Sequence, residues 1–128
     1  MYSAYINRIG KFLPGEPINN YEMEEYLGKM ASRPLTVSQR SLNSNDIQQR
    51  YYAIHKQQQP LYSNSQMPGF AVRAAISQSN LEPGAIDLLA CTTTLPDLLV
   101  SGFVSTVQGE LSELSPLEIV STQGVCCG

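Results

Sequence analysis

The sequence predicts an α/β layered fold in which a mixed sheet carries helices on both faces. Three observations lead there. Segments of strand and helix character alternate along the chain. The run "AIDLLACTTT" (85–94) is almost continuously apolar, as a strand covered on both faces is. The segments on either side of it, "GFAVRAAISQSNLEPG" (69–84) and "VSGFVSTVQGEL" (100–111), read as helices. Alternation of this kind stacks helices on a sheet.

Taken in order, "SAYINRIGKFLPG" (3–15) reads as a short strand ended by Pro14-Gly15. A helix start follows in "INNYEMEEYLGKM" (18–30): Asn19 can cap, Glu22 stands three residues on as in a capping box, and Met23, Tyr26, Leu27 and Met30 recur at helical spacing. "HKQQQPLYSNSQMPG" (55–69) is polar, contains Pro60 and Pro68, and reads as a loop. In the next helix Phe70, Ala71, Ala74, Ala75 and Ile76 form a face of mostly small side chains that a neighbour can approach closely, and Pro83-Gly84 ends it. Strand 85–94 is broken by Pro96-Asp97. Helix 100–111 and the strand "PLEIVSTQG" (116–124) complete the order.

The length of 128 residues fits one domain, and 42% hydrophobic with 15% charged residues is ordinary for a globular chain. A net charge of −3 without a Lys/Arg cluster argues against nucleic acid, whose phosphates need cations to displace their counterions. No apolar run is long enough for a bilayer, and the amino terminus lacks the pattern of a secretory signal. The three cysteines include an adjacent pair, Cys126-Cys127, which argues against a disulfide framework and for a reducing cytoplasm.

The chain closes on "STQGVCCG" (121–128). A strand running through Gly124 into Cys126 sets a cysteine at the start of a helix. There the unpaired N–H groups and the helix dipole favour a thiolate, and the same N–H groups can hold an oxyanion once sulfur attacks a thioester carbonyl. Adjacent cysteines are also commonly plain buried residues, or a pair that closes a strained vicinal disulfide. A zinc site needs about four ligands, and only His55 and Cys91 could join this pair, so no metal is expected. His55, the single histidine, reads as a solvated loop residue. Thr92, Thr93 and Thr94 read as closers of the strand end, bonding their hydroxyls to nearby backbone.

"IDLLACTTTLPDLLVSGFVSTVQGEL" followed by "IVSTQGVCCG" resembles the N-terminal half of a ketoacyl-acyl-carrier-protein synthase III, a condensing enzyme of the thiolase superfamily. "PGEPINNYEMEEYL" is similar to that family's opening turn and Asn-capped helix, and "FAVRAAISQSNLEPGAID" to its Ala-rich helix. The resemblance implies that residues 1–128 are the N-terminal thiolase-like half, ending at the nucleophile, Cys126. It implies a missing C-terminal half that carries a catalytic His and Asn, and this chain alone is expected to be inactive. The activity implied is decarboxylative Claisen condensation of an acyl thioester with a malonyl- or ketoacyl-carrier-protein unit through an acyl-cysteine. Acyl groups arrive as phosphopantetheine thioesters on acyl-carrier protein or coenzyme A. No tightly bound cofactor is expected, and the partners implied are acyl-carrier protein and a second copy, paired through the strand near 117–122 and the preceding helix.

Departures refine the expectation. Ser44, Asn45 and Asp46 stand where the family has Arg-Thr-Gly before Ile47, and Trp is absent, which favours a donor on acyl-carrier protein over coenzyme A. Leu99 and Val100 replace a Phe-Pro pair, leaving room for a longer or bulkier acyl chain, or marking a subunit contact. "DIQQRYYAIHKQ" (46–57) is similar to the branch forming cyclohexanedione and dialkylresorcinol precursors. From another class comes the alternative of a non-catalytic partner subunit that keeps the fold as an interface.

Overall fold

A computed structural model describes residues 3–28, 35–98, 100, 102–114 and 116–125. It divides into two units, one formed by residues 1–12 with 63–128 and the other by residues 13–62.

In the smaller unit, β1 (Ile18–Asn19) pairs antiparallel with β2 (Gln49–Arg50), Ile18 opposite Arg50. The expected capping box is present: Asn19 Oδ1 accepts the N–H of Glu22 at 3.2 Å, and Glu22 Oε2 accepts the N–H of Asn19 at 3.1 Å. It closes a turn ahead of α1 (Met23–Leu27). The helix stops at Leu27, short of the expected periodicity, because Gly28 takes φ 78° and folds its N–H back to Glu24 O. Met30 lies outside the described residues. α2 (Leu35–Ser44) ends with Asp46 at φ 54° and the N–H of Ile47 on Leu42 O.

The polar stretch from residue 55 is more ordered than a loop. Ile54 bridges Pro60, Leu61 N–H reaches Ala53 O at 2.8 Å, and His55 and Gln59 close a tight turn through the N–H of His55. Gln58 supplies the left-handed residue, φ 60°. Lys56 pairs with Glu25 and lies over the Tyr26 ring, which in turn meets Tyr52.

In the larger unit, α3 (Gln66–Ser77) begins inside the stretch expected to be loop. Ser63 Oγ accepts the N–H of Gln66 and Gln66 Oε1 accepts that of Ser63, each at 3.1 Å, a reciprocal cap. Pro68 falls in the first turn, where a missing N–H costs nothing. The small-residue face is used as expected, and the neighbour is residues 3–12. A Cβ on Gly10 would stand 2.2 Å from Ala71 O, so backbone meets backbone, and Phe12 packs on Phe70 with centroids 4.7 Å apart. The opening strand, however, is not formed. Among the described residues this segment enters no ladder; it lies on α3 through the Gly10 approach, the Phe12–Phe70 contact and a hydrogen bond from Arg8 to Gln78 O.

β3 (Leu88–Thr93) pairs in parallel with β4 (Glu118–Gln123), Leu88 opposite Glu118 through Thr93 opposite Gln123, with α4 (Phe103–Glu110) as the crossover. Leu89 of β3, Phe103, Val104 and Val107 of α4, and Leu111 and Leu114 beyond it form the core; Val72 and Ile76 of α3 pack against it. Arg73 of α3 grips Glu113 through two nitrogens, and the hydrogen bond holds that carboxyl below its usual range. Strand alternation sends Leu89 and Cys91 to the core and Leu88, Ala90 and Thr92 to the other face. That other face was expected to be covered. Among the described residues it is open, with Leu88 52% and Val120 of β4 49% exposed.

Candidate active site at the carboxyl ends of β3 and β4

Parallel pairing sets the carboxyl ends of β3 and β4 side by side, the place where α/β sheets expose ligand sites. At that end Thr93 stands opposite Gln123. β3 leaves through the Thr93–Asp97 turn. Thr93 Oγ1 donates to Leu95 O at 3.2 Å and accepts the N–H of Leu95 at 3.3 Å, so this threonine has the structural role expected of it. β4 leaves through Gly124, whose N–H reaches Thr93 O at 3.2 Å. Gly124 has φ 152°, a conformation that side chains with a Cβ rarely take. Val125 follows, exposed, and the expected nucleophile Cys126 is the next residue. Cys126, Cys127 and Gly128 lie outside the described residues.

Cys91 lies two residues before the end of β3. It packs against the core, and desolvation raises its thiol pKa above the ordinary value. Such a sulfur stays protonated, the reverse of what a nucleophile requires. His55 is exposed in the tight turn of the other unit. No group of three or more His, Cys, Asp or Glu suited to a metal occurs among the described residues. Leu99, the expected acyl-pocket residue, lies outside the described residues, and Val100 beside it is exposed.

The segment that departs from the family, at Ser44, Asn45 and Asp46, has a definite shape. Asp46, standing where the resemblance expects Gly, supplies the left-handed residue just after α2. A cleft of about 200 Å³ lies nearby within the same unit, lined by Asn19, Asn20, Tyr21, Asn43 and Gln48. Among the described residues its lining is amide-rich and holds no guanidinium. Arg50 is bonded to Asn20 Oδ1, and Asn20 Nδ2 to Ile47 O.

Sequence reasoning missed Asp97 and Asn64. Asp97 reads from sequence as a strand breaker, yet its carboxylate accepts the backbone N–H of Asn64 and Ser65, and Asn64 Nδ2 returns a bond to Leu95 O. The signal that could have found this junction is the Ser63-x-x-Gln66 pattern, which marks the start of a helix with N–H groups to satisfy.

No protein-family profile matches the chain. Among curated proteins it is 28% identical, over 93% of its length, to a beta-ketoacyl-[acyl-carrier-protein] synthase III of Thiobacillus denitrificans. It is 26% identical, over 98% of its length, to the protein of the same name from Cereibacter sphaeroides. The chain spans about a third of these relatives, 34% and 35%. Among solved structures it is similar to AbyA1, a tetronic acid condensing enzyme, with TM-score 0.69 and 16% identity over 90% of this chain and 33% of that one. It is also similar to 3-oxoacyl-[acyl-carrier-protein] synthase III from Aquifex aeolicus, with TM-score 0.65 and 18% identity over 94% of this chain and 35% of that one. The chain thus carries the α/β fold of the thiolase-like condensing enzymes over about a third of their length, and its sequence resembles the beta-ketoacyl-[acyl-carrier-protein] synthases III.

Proposed function

We propose that this chain is the nucleophile-bearing part of a condensing acyltransferase. Supporting this is the pair of parallel strand ends, where Gly124, at φ 152° and bonded to Thr93 O, stands two residues before Cys126 in the sequence. The Cys126 thiolate attacks the carbonyl carbon of an acyl thioester, the bond to the pantetheine sulfur breaks, and that sulfur leaves as a thiolate that takes up the proton Cys126 gave up on ionising. A malonyl unit on its carrier then loses carbon dioxide, and the resulting carbanion attacks the acyl carbon. A carbon–carbon bond forms and the cysteine thiolate is released. The His and Asn that drive this second half belong to the remaining part of a thiolase-like fold. An apolar groove of about 440 Å³ along β3, lined by Ile6, Val72, Ile76, Leu88, Leu89 and neighbours, supports a place for that part.

Iodoacetamide at neutral pH tests the nucleophile, with alkylated peptides followed by mass. Cys126 is expected to react at least about tenfold faster than Cys127 and Cys91, because rate follows thiolate content. Cys91 is expected to gain reactivity only above the ordinary thiol range, since burial raises its pKa. Equal sluggishness at all three cysteines overturns the catalytic reading.

Acyl-carrier protein is the donor this reading favours, and the cleft, amide-rich and without a guanidinium among its described lining residues, supports it. With the remaining part of the fold supplied, Cys126 is expected to load faster from acyl-carrier protein than from acyl-coenzyme A; equal rates discard the preference. A homodimer joined through β4 belongs to the same reading, and the exposure of all six of its residues supports it.

One observation favours a second reading. The exposed apolar face of Leu88 and Val120 suits a subunit that keeps this fold as an interface for another chain. The iodoacetamide comparison separates the two.

A further inference from the structure

The turn after β3 is fastened to the residues that lead into α3 at two points, Asp97 and Leu95. Asp97 Oδ1 accepts the N–H of Asn64 at 3.2 Å and Oδ2 that of Ser65 at 3.0 Å, while Asn64 Nδ2 donates to Leu95 O at 3.1 Å. Ser65 is buried, so its N–H needs an internal acceptor. The carboxylate also faces the amino end of α3, where helix N–H groups favour negative charge. Within the turn, Thr93 Oγ1 is bonded in both directions to Leu95. Thr93 O in turn accepts the N–H of Gly124. A run of bonds therefore links Asn64, ahead of α3, through Leu95 and Thr93 to a glycine two residues from Cys126, and Asp97 holds the backbone of Asn64 and Ser65 at its head.

We propose that Asp97 is a positioning residue for the nucleophile. By clamping the 93–97 turn to α3, it fixes Thr93 and, through Thr93, the direction in which the chain leaves β4. This role rests on the reading of Cys126 as nucleophile. Its physical basis is that amide donors stabilise a thiolate or oxyanion only at hydrogen-bond distance, so a displacement of about 1 Å in the strand end lowers reactivity sharply. Asp97 touches no reacting atom and acts through the backbone.

The test is the pH profile of Cys126 alkylation by iodoacetamide in the full chain, for the wild type, Asp97→Ala, Asp97→Asn, Asn64→Ala and Arg73→Ala. Asp97→Ala is expected to raise the apparent pKa of Cys126 by about one unit, which is about a tenfold loss of thiolate below that pKa. Asp97→Asn keeps an oxygen acceptor and is expected to restore part of the rate. Asn64→Ala loses only the return bond, is expected to shift the profile less, and serves if Asp97→Ala does not fold. Arg73→Ala breaks the ion pair with Glu113, away from the turn, and is expected to leave the profile at the wild-type position. Unchanged profiles in both Asp97→Ala and Asn64→Ala, with a fast wild-type Cys126, overturn the positioning role and leave the catalytic reading standing. A shift of equal size in Arg73→Ala also overturns it, because general loosening then explains the effect. A wild-type Cys126 no faster than Cys91 overturns both.

Discussion

Leu111→Ala is expected to remove about 2–5 kcal/mol of folding stability, the range for truncating a fully buried leucine. Leu111 is 0% exposed and sits at the end of α4, where its N–H closes the last turn on Gln108 O. Its side chain joins Leu89, Phe103, Val104, Val107 and Leu114 in the core cluster beneath β3. A domain is typically stable by only about 5–15 kcal/mol, so one truncation here takes a large share. Urea unfolding is expected to show a lower midpoint with an unchanged slope, since the surface exposed on unfolding barely changes. A loss below about 1 kcal/mol would mean that this position does not anchor the core.

That core was legible in the sequence. The apolar run 85–94 and the helix read over 100–111 mark the strand and the helix that supply most of it, and the observed parallel pair β3–β4 needs such a crossover between them. Local chemistry was legible too. The reciprocal bonds of Asn19 and Glu22, and the hydroxyl of Thr93 turned onto Leu95, are short-range and need no knowledge of the rest of the chain. The failures have a different origin. Residues 3–12 have strand composition, but a strand exists only with a partner edge, and here Gly10 lies against a helix. The polar stretch from residue 55 hid two ordered features, because glutamine at a left-handed position and proline in a first helical turn are readable only once neighbouring hydrogen bonds are known. Asp97 hid for the same reason, since its partners lie 32 and 33 residues away. Within the candidate site, sequence supplied the direction of β4 and the cysteine at its end, while the bonds that aim the strand are long-range.

Gly10→Ala probes the one close approach on which the amino-terminal segment depends. An added Cβ would meet Ala71 O at 2.2 Å, Ala75 N at 2.5 Å and Ala75 Cβ at 2.9 Å. The first two are backbone atoms of α3, fixed by the helix ladder, so the segment has to lift rather than the helix yield. Lifting takes with it the Phe12–Phe70 contact and the bond from Arg8 to Gln78 O. Overpacking typically costs about 1–3 kcal/mol, and a clash with backbone belongs at the upper end. Because the strain is confined to one segment, release is expected to be local. Trypsin is expected to cut after Arg8 and Lys11 well before global unfolding, and amides 5–12 to exchange rapidly while those of α4 stay protected. Adding Ala75→Gly removes only the Cβ contact and leaves both backbone clashes, so it is expected to restore little. Full restoration by Ala75→Gly would place the tight contact between side chains, and unchanged trypsin resistance in Gly10→Ala would mean that the segment does not lie against α3.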